Sequence, residues 1–294
     1  MKTIICFGEV LWDVLPKGKK LGGAPLNVSL RAQSLGNRTA MISSMGRDDL
    51  GDELASAIVA HGGSIEHIQV TEEYDTSEVV VSLDDTGTAS YEIKEPCAWD
   101  AIELLERDIQ AVKEADAFIY GSLVARNTTS RETLFALLDH AGFKVFDVNL
   151  RPPHYSYETI ISLMKAADFV KFNDDELYEI CAYLGKEHRA LEDCITFMAR
   201  QTDTAQLCVT RGKDGAVLFS DKKFYSNKGY RVKVADTVGA GDSFLAAMIS
   251  GLLAGRHPQA AIDFACALGS IVASKNGANP AVSEAEIVHM MEKG

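Results

Sequence analysis

The chain has 294 residues, room for one large α/β domain or two small ones, and its 47% apolar content provides for a substantial core. With 29 basic against 42 acidic side chains the net charge is −13, which excludes general affinity for nucleic acid or an anionic membrane as partners. No run reaches the ~18 apolar residues of a membrane span, the apolar start at residues 3–7 is too short for a signal peptide, and six cysteines without a Cys-x-x-Cys pair read as buried free thiols of a reducing, cytoplasmic compartment.

Taken in chain order, residues 4–7 read as a buried strand, 27–35 as a helix ended by Gly36, 39–44 as a strand and 49–60 as a helix stopped by Gly62 and Gly63. Residues 78–83 and 88–93 alternate in polarity about Asp84-Asp85-Thr86-Gly87, which predicts a hairpin. A helix over 101–115, a strand over 117–120, a helix over 130–141 and strands over 143–148 and 168–172 follow, with a helix between the last two. Helices over 174–184 and 190–200 lead to a strand over 207–210, a second hairpin pairs 216–219 with 223–226, and the last third is helical over 241–254, 258–275 and 284–292. The alternation of strand and helix predicts a mainly parallel sheet covered by helices on both faces, with ligands gathered at the C-terminal ends of the strands. The first hairpin interrupts that pattern. Its apolar residues Val79, Val81 and Leu83 point to one face that wants cover, so it is expected to belong to a small sheet standing off the main body as a lid. Neither an internal repeat nor a low-complexity linker divides the chain.

Residues 236–243 read Asp-Thr-Val-Gly-Ala-Gly-Asp-Ser and run straight into an apolar helix. Glycines let the backbone turn sharply, and a helix start exposes unpaired N–H groups at the positive end of the dipole, a place that attracts phosphate. Asp242 sits where such an anion would gather although its charge repels one. The conflict resolves if Asp242 takes a proton from the group that attacks the phosphate; otherwise it is a cap or dipole partner. The segment is neither a dinucleotide fingerprint, because Phe244 occupies the third glycine position and no βαβ unit follows, nor a Walker loop, because no Gly-Lys pair precedes Ser or Thr in the required frame.

A second cluster lies near the N-terminus. Asp13 and Asn27 flank Gly22-Gly23, and a carboxylate with an amide can hold several hydroxyls, as a sugar demands. Asn27 as a helix N-cap is the alternative, and Gly22-Gly23 fits a hinge for the lid. Asn173 and Glu176, three apart at a helix start, suit the orientation of magnesium-bound water or a capping box. Arg151 either bridges sugar and phosphate or anchors the Pro152-Pro153 loop. Tyr91, Pro96, Ala98 and Trp99 either wall the sugar pocket or pack within the lid or against a second subunit.

These segments together resemble the ribokinase (PfkB) family of carbohydrate kinases over essentially the whole chain. Asp236-Thr237-Val238-Gly239-Ala240-Gly241-Asp242-Ser243-Phe244 is similar to the family's C-terminal signature and Gly22-Gly23-Ala24-Pro25-Leu26-Asn27-Val28 to its N-terminal one. Phe7-Gly8-Glu9-Val10-Leu11-Trp12-Asp13, Tyr120-Gly121-Ser122-Leu123 and Asp147-Val148-Asn149-Leu150-Arg151 look more like bacterial fructokinases than ribokinases. Lys171-Phe172-Asn173-Asp174-Asp175-Glu176 resembles the Asn-x-x-Glu motif, and Thr210-Arg211-Gly212-Lys213-Asp214-Gly215 the ATP-binding turn.

The resemblance implies one domain over 1–294, a ribokinase-like three-layer α/β/α sandwich with a mainly parallel sheet and a small β-lid built from about 9–25 and 76–99. It implies phosphorylation of a sugar hydroxyl, D-fructose to fructose 6-phosphate foremost, using ATP and Mg²⁺, with K⁺ beside the anion loop as in some members; separately, the apolar face of the lid is a reason to expect a homodimer through it. Asp242 would be the base, and the backbone of Gly239, Ala240 and Gly241 through Asp242 the anion hole. Asp13, Gly23, Asn27 and Arg151 would hold the sugar. Asn173 and Glu176 would organise magnesium and phosphate, Thr210 and Gly212 would meet the nucleotide, and Cys266 would lie by the adenine, where relatives often carry Asn or His. Asp236 and the Asn276-Gly277-Ala278 loop would hold the monovalent cation; Val238 replaces a Thr there but acts through its backbone. Ribose, a keto-deoxy sugar acid or a nucleoside as substrate, and a non-catalytic sugar or nucleotide sensor on the same fold, are the competing functions.

Overall fold

A computed structural model describes residues 1–15, 18–83, 89–187 and 190–292. The turn expected at Asp84-Asp85-Thr86-Gly87 lies outside the described residues, as does the side chain of Tyr91. The strands are β1 (Thr3–Phe7), β2 (Leu11–Leu15), β3 (Gly18–Gly22), β4 (Arg38–Gly46), β5 (Ile68–Thr71), β6 (Ser77–Leu83), β7 (Ala89–Ile93), β8 (Ala117–Gly121), β9 (Lys144–Asp147), β10 (Phe169–Asn173), β11 (Gln206–Thr210), β12 (Ala216–Ser220) and β13 (Lys223–Asn227). The helices are α1 (Ala24–Ser34), α2 (Asp49–Ala60), α3 (Glu106–Glu114), α4 (Thr128–Leu138), α5 (Tyr157–Lys165), α6 (Asp174–Tyr183), α7 (Leu191–Thr202), α8 (Ala240–Leu253), α9 (Pro258–Ala273) and α10 (Glu284–Glu292).

Nine strands form one sheet in the order β13-β12-β11-β10-β9-β8-β1-β4-β5. It is parallel from β11 to β5, and β12 and β13 add on antiparallel. Side chains alternate across a strand, so β1 sends Ile4 and Cys6 to one face and Ile5 and Phe7 to the other. The first face packs against the apolar sides of α1, α2, α8 and α9, the second against those of α3 to α7, giving the three layers expected of the alternating pattern. Both faces are covered, which explains why central strands such as β8 are apolar throughout. All six cysteines are free and buried. Among the described residues no helix is long and apolar enough to cross a membrane.

A separate four-stranded sheet has the order β3-β2-β6-β7. The hairpin legible at β6 and β7 therefore joins a second hairpin, β2 and β3, through the parallel β2–β6 pair. The small sheet is tied to the body by Trp12, which donates from its indole Nε1 to the Leu50 carbonyl at 3.1 Å.

Two expectations need correction. The helix expected to begin at Asn27 begins at Ala24, with Gly23 as its N-cap and Pro25 in its first turn. Proline pre-sets the helical φ and lacks the N–H that a first turn leaves unpaired, so it starts the helix earlier than the apolar pattern suggests. The helix expected over 101–115 is a 3-10 turn at Ala98–Ala101 followed by α3, and the four-residue strand β5 escaped notice.

The second core face stacks aromatic side chains across neighbouring strands, with Tyr120 and Phe146 at 5.2 Å between centroids and nearly parallel. Phe146 is fully buried. Phe146→Ala is predicted to cost about 3–5 kcal/mol of unfolding free energy by denaturant titration; a loss below about 1 kcal/mol would contradict this account of the core.

Candidate active site

The C-terminal ends of β1, β8, β9, β10 and β11 open on a cavity of about 510 Å³ roofed by the small sheet. Glu9, Asn149, Asn173 and Thr210 line it from the strand ends, and Asp242 from the start of α8. Leu11, Val79 and Ile93 face it from the small sheet. Ala98 and Trp99, expected as wall candidates, are instead fully buried in the core, where the Trp99 ring lies under the Arg126 guanidinium at 4.1 Å; Pro96 is exposed outside the cavity walls.

Helix α8 begins at Gly239, whose φ of 73° is left-handed and whose added Cβ would stand 2.5 Å from the Ala278 Cα, so no side chain fits there. No side chain caps this start. The Ala240 N–H turns back to the Thr237 carbonyl at 3.2 Å, and the Ser243 N–H is the first to reach a carbonyl one turn earlier, that of Gly239, at 2.8 Å. Of residues 239–242, expected to form an anion hole, Ala240 has its N–H engaged in the turn, while those of Gly239, Gly241 and Asp242 stand at the helix start.

Asn27, inside α1 and 5% exposed, donates from Nδ2 to Asp242 Oδ2 at 2.9 Å, while its own Oδ1 accepts from Asn279 Nδ2 at 2.8 Å. Two further contacts seal α1 to α8: Arg31 Nε to Ser243 Oγ at 3.0 Å, and Asn37 Nδ2, just beyond α1, to Ser250 Oγ at 2.9 Å. Burial pushes the Asp242 carboxyl up to about 6; the Asp147 charge adds to the rise, while Lys171, the Asn27 hydrogen bond and Arg151 oppose it.

Beneath Asp242 lies a buried ion pair that the sequence reading left without a role. Lys171 on β10 reaches both oxygens of Asp147 on β9, at 2.7 and 3.0 Å. A Cβ added at Gly241 would stand 3.6 Å from the Lys171 Nζ, which places this ammonium against the helix start. Burial works against the Lys171 charge, yet Asp147, Glu176 and Asp242 together hold its pKa above the usual lysine range.

Asn173 and Glu176 form the capping box foreseen as one of two readings. Asn173 Oδ1 accepts the Glu176 N–H at 2.8 Å, and Glu176 Oε2 accepts the Asn173 N–H at 2.8 Å. The other Glu176 oxygen accepts the Leu150 N–H at 3.0 Å, which pins the 149–151 loop. Both residues nevertheless line the cavity. Burial raises the Glu176 carboxyl, with Lys171 and the backbone donors pulling it down.

On the small-sheet side, Asp13, Gly23 and Arg151 line the cavity as expected. Burial raises Asp13 to about 6 against the pull of Arg151 and Lys20. Arg151 Nη1 donates to the Leu150 carbonyl at 3.0 Å. Glu9, which the sequence reading quoted but did not single out, accepts the Ala24 N–H on Oε1 at 3.1 Å and leaves Oε2 buried without a partner. Burial lifts its carboxyl to about 7.

Thr210 lines the cavity and donates its hydroxyl to the Phe172 carbonyl at 3.2 Å, but Gly212 is not among the cavity walls. Cys266 also lies away from the walls, 5% exposed within the helical core face of α9. Asp236 and the 276–278 loop do meet. Asp236 accepts the Val238 N–H on Oδ1 at 3.1 Å and the Gly277 N–H on Oδ2 at 3.0 Å, and Ala278 lines the cavity beside them. Lys20 Nζ stands 3.6 Å from the same Asp236 oxygen.

Known proteins share this fold. Fructokinase of Escherichia coli is 28% identical, with 94% of this chain and 94% of that protein aligned. The crystal structure of a fructokinase with bound ATP from Xylella fastidiosa superposes with a TM-score of 0.85 at 22% identity, covering 99% of this chain and 98% of that one. Fructokinase from Vibrio cholerae O395, with fructose, ADP and calcium ion bound, gives 0.84 at 23% identity and covers 99% of both chains; a double mutant of it holds fructose, ADP and potassium ion. At these identities the structural likeness establishes the fold. The model of the pfkB family of carbohydrate kinases matches residues 4–285, and the chain belongs to that family.

Proposed function

We propose that the protein transfers the γ-phosphoryl group of ATP to a hydroxyl of a free hexose, D-fructose to fructose 6-phosphate. The observation that carries this is Asp242, a half-buried carboxylate held by Asn27 at a helix start where phosphate would gather.

Phosphoryl transfer asks a protein mainly for positioning and charge stabilisation. Asn27 holds Asp242 Oδ2, so we assign the sugar proton to Oδ1. A base helps by ~10²–10⁴-fold when its pKa lies near the working pH, and the lift of Asp242 to about 6 moves it that way while leaving it ionised at neutrality. The N–H groups of Gly241 and Asp242 face the developing charge on the phosphoryl oxygens, each worth ~3–4 kcal/mol in comparable holes. Ala240 joins them only if it releases the Thr237 carbonyl. Thr210 lies on the nucleotide side, and Gly212 and Cys266 contact the nucleotide only outside the cavity described.

Magnesium would neutralise charge on the nucleotide phosphates. Among the described residues no group of three His, Cys, Asp or Glu side chains is placed to cage a metal. That fits an ion that keeps most of its waters. Both Glu176 oxygens already accept a backbone N–H, and each keeps a second lone pair for such a water. We assign the monovalent cation to the place where Asp236 meets Gly277 and Ala278, with Lys20 as its competitor there.

The sugar would lie between Asp13, Gly23, Asn27 and Arg151, against the apolar Leu11, Val79 and Ile93. Arg126 is tied to Asp100 at 2.7 and 2.8 Å and Lys94 to Asp75 at 2.6 Å, both outside the cavity walls, so of the three basic candidates for a substrate carboxylate only Arg151 faces the sugar. Closure of the small sheet over the sugar would exclude water, the competing acceptor. Exposed Val80 on this sheet supports pairing with a second copy, and the six free thiols support a cytoplasmic setting.

Asp242→Asn is predicted to lower sugar-dependent ADP release by about 10²–10⁴-fold with the thermal transition retained; residual activity above a few per cent sinks the base assignment. In a panel of fructose, ribose, 2-keto-3-deoxygluconate and adenosine at fixed ATP, fructose is predicted to give the highest kcat/KM. A clear preference for any of the others overturns the choice of sugar.

A further inference from the structure

A second concavity, of about 350 Å³, adjoins the first across two shared segments. Leu123 faces the first cavity while Ser122 and Ala125 face the second, and Asn149 and Arg151 face the first while Pro153 and His154 face the second. Nothing in the phosphoryl-transfer account uses it.

Arg126, whose side chain is 2% exposed, lies in its wall. Nε and Nη2 bind the two oxygens of Asp100 at 2.8 and 2.7 Å, and Nη2 also donates to the Lys94 carbonyl at 2.7 Å. The remaining nitrogen, Nη1, is buried without a hydrogen-bond partner. A carboxylate, Glu95 Oε2, stands 4.0 Å away, beyond hydrogen-bond reach. A buried guanidinium nitrogen is costly to leave unpaired, so this one marks a place where an acceptor belongs.

The rest of the wall suits an anion. The start of α5 opens on it, with Ser156 as N-cap accepting the Thr159 N–H at 3.2 Å, and a helix start favours negative charge. Arg131 donates only to neutral oxygens, the Ala125 carbonyl and Thr128 Oγ1, each at 3.2 Å. His154 Nδ1 holds Glu95 Oε2 at 3.1 Å. Asp100 already balances the Arg126 charge, so the surplus comes from Arg131, with Glu95, 45% exposed, as the carboxylate an anion would displace.

We propose that this concavity binds the phosphate end of a small phosphomonoester, with Arg126 Nη1 as the buried donor and Arg131, His154 and the α5 start around it. The volume exceeds what a phosphate group fills, which leaves space for a short organic portion. The 149–154 segment joins this site to Arg151, so occupancy here would be felt on the sugar side.

The test is calorimetric titration of the full chain with glycerol 3-phosphate and, separately, inorganic phosphate, each with ADP saturating the α8 start. The wild type is expected to bind glycerol 3-phosphate more tightly than inorganic phosphate. Arg131→Ala with His154→Ala is expected to weaken binding by about tenfold or more, the loss of charge-assisted hydrogen bonds, with the thermal transition unchanged. Glu95→Gln is expected to tighten it, because the competing carboxylate is gone. No saturable binding by the wild type, or equal binding by the double variant, overturns the site. Equal affinity for the two probes overturns the monoester assignment.

Discussion

The hydrogen bond from Asn27 Nδ2 to Asp242 Oδ2 joins the first turns of two helices 215 positions apart in sequence, and the cavity is organised about it. A carboxylate buried at a helix start is stabilised by the dipole and penalised by the loss of water. Here burial dominates and lifts its pKa, while the amide of Asn27, itself fixed by Asn279, sets its orientation. The Arg31–Ser243 and Asn37–Ser250 contacts repeat the same cross-helix connection further along, so α1 and α8 hold the Asp242 carboxylate as a rigid unit. Gly239 completes it, since only a residue without Cβ lets the 276–278 loop pass so close to the helix start.

Around that base the cavity is crowded with carboxylates: Glu9, Asp13, Glu176, Asp236 and Asp242 all line it. An acidic chain that handles phosphate must supply positive potential locally. It does so from beneath, through Lys171 and the helix start, and from the side, through Arg151 and Lys20. The Lys171–Asp147 pair is buried, and removing one partner would leave the other charge uncompensated, a far larger penalty than the net worth of the pair. Its value lies in placing an ammonium against the start of α8, where phosphate charge has to be met.

Much of this was legible because strand and helix periods differ. The 2-residue alternation in β6 and β7 exposed the small sheet, and the apolar runs of β1, β8 and β10 exposed strands covered on both faces. Asp242 stood out because a carboxylate conflicts with a helix start that attracts phosphate, and Asp13 because it lies with an amide beside a glycine pair. Asn27 read as a holder of sugar hydroxyls or as an N-cap; that it lies inside α1 and aims at Asp242 depended on Pro25 beginning the helix early. Asp147 ends β9 and Lys171 lies in the middle of β10, and neither segment shows the partner, since their pairing is a property of neighbouring strands. Trp99 misled for the same reason. An aromatic just beyond a lid strand suggests a pocket wall, but Arg126, 27 positions on, stacks over it within the core.

The central claim is that the Asp242 carboxylate, lifted to about 6 by burial, takes the proton of the attacking hydroxyl. Only the ionised form can do so, and its fraction falls as pH drops through that value. The most direct measurement is the pH dependence of kcat/KM between about pH 5 and about pH 8, for the wild type and for the residual activity of Asp242→Asn. The account predicts an acid limb near pH 6 in the wild type that is shallower in the variant, where Asp13, also lifted to about 6, still titrates. The same acid limb in both proteins would contradict it.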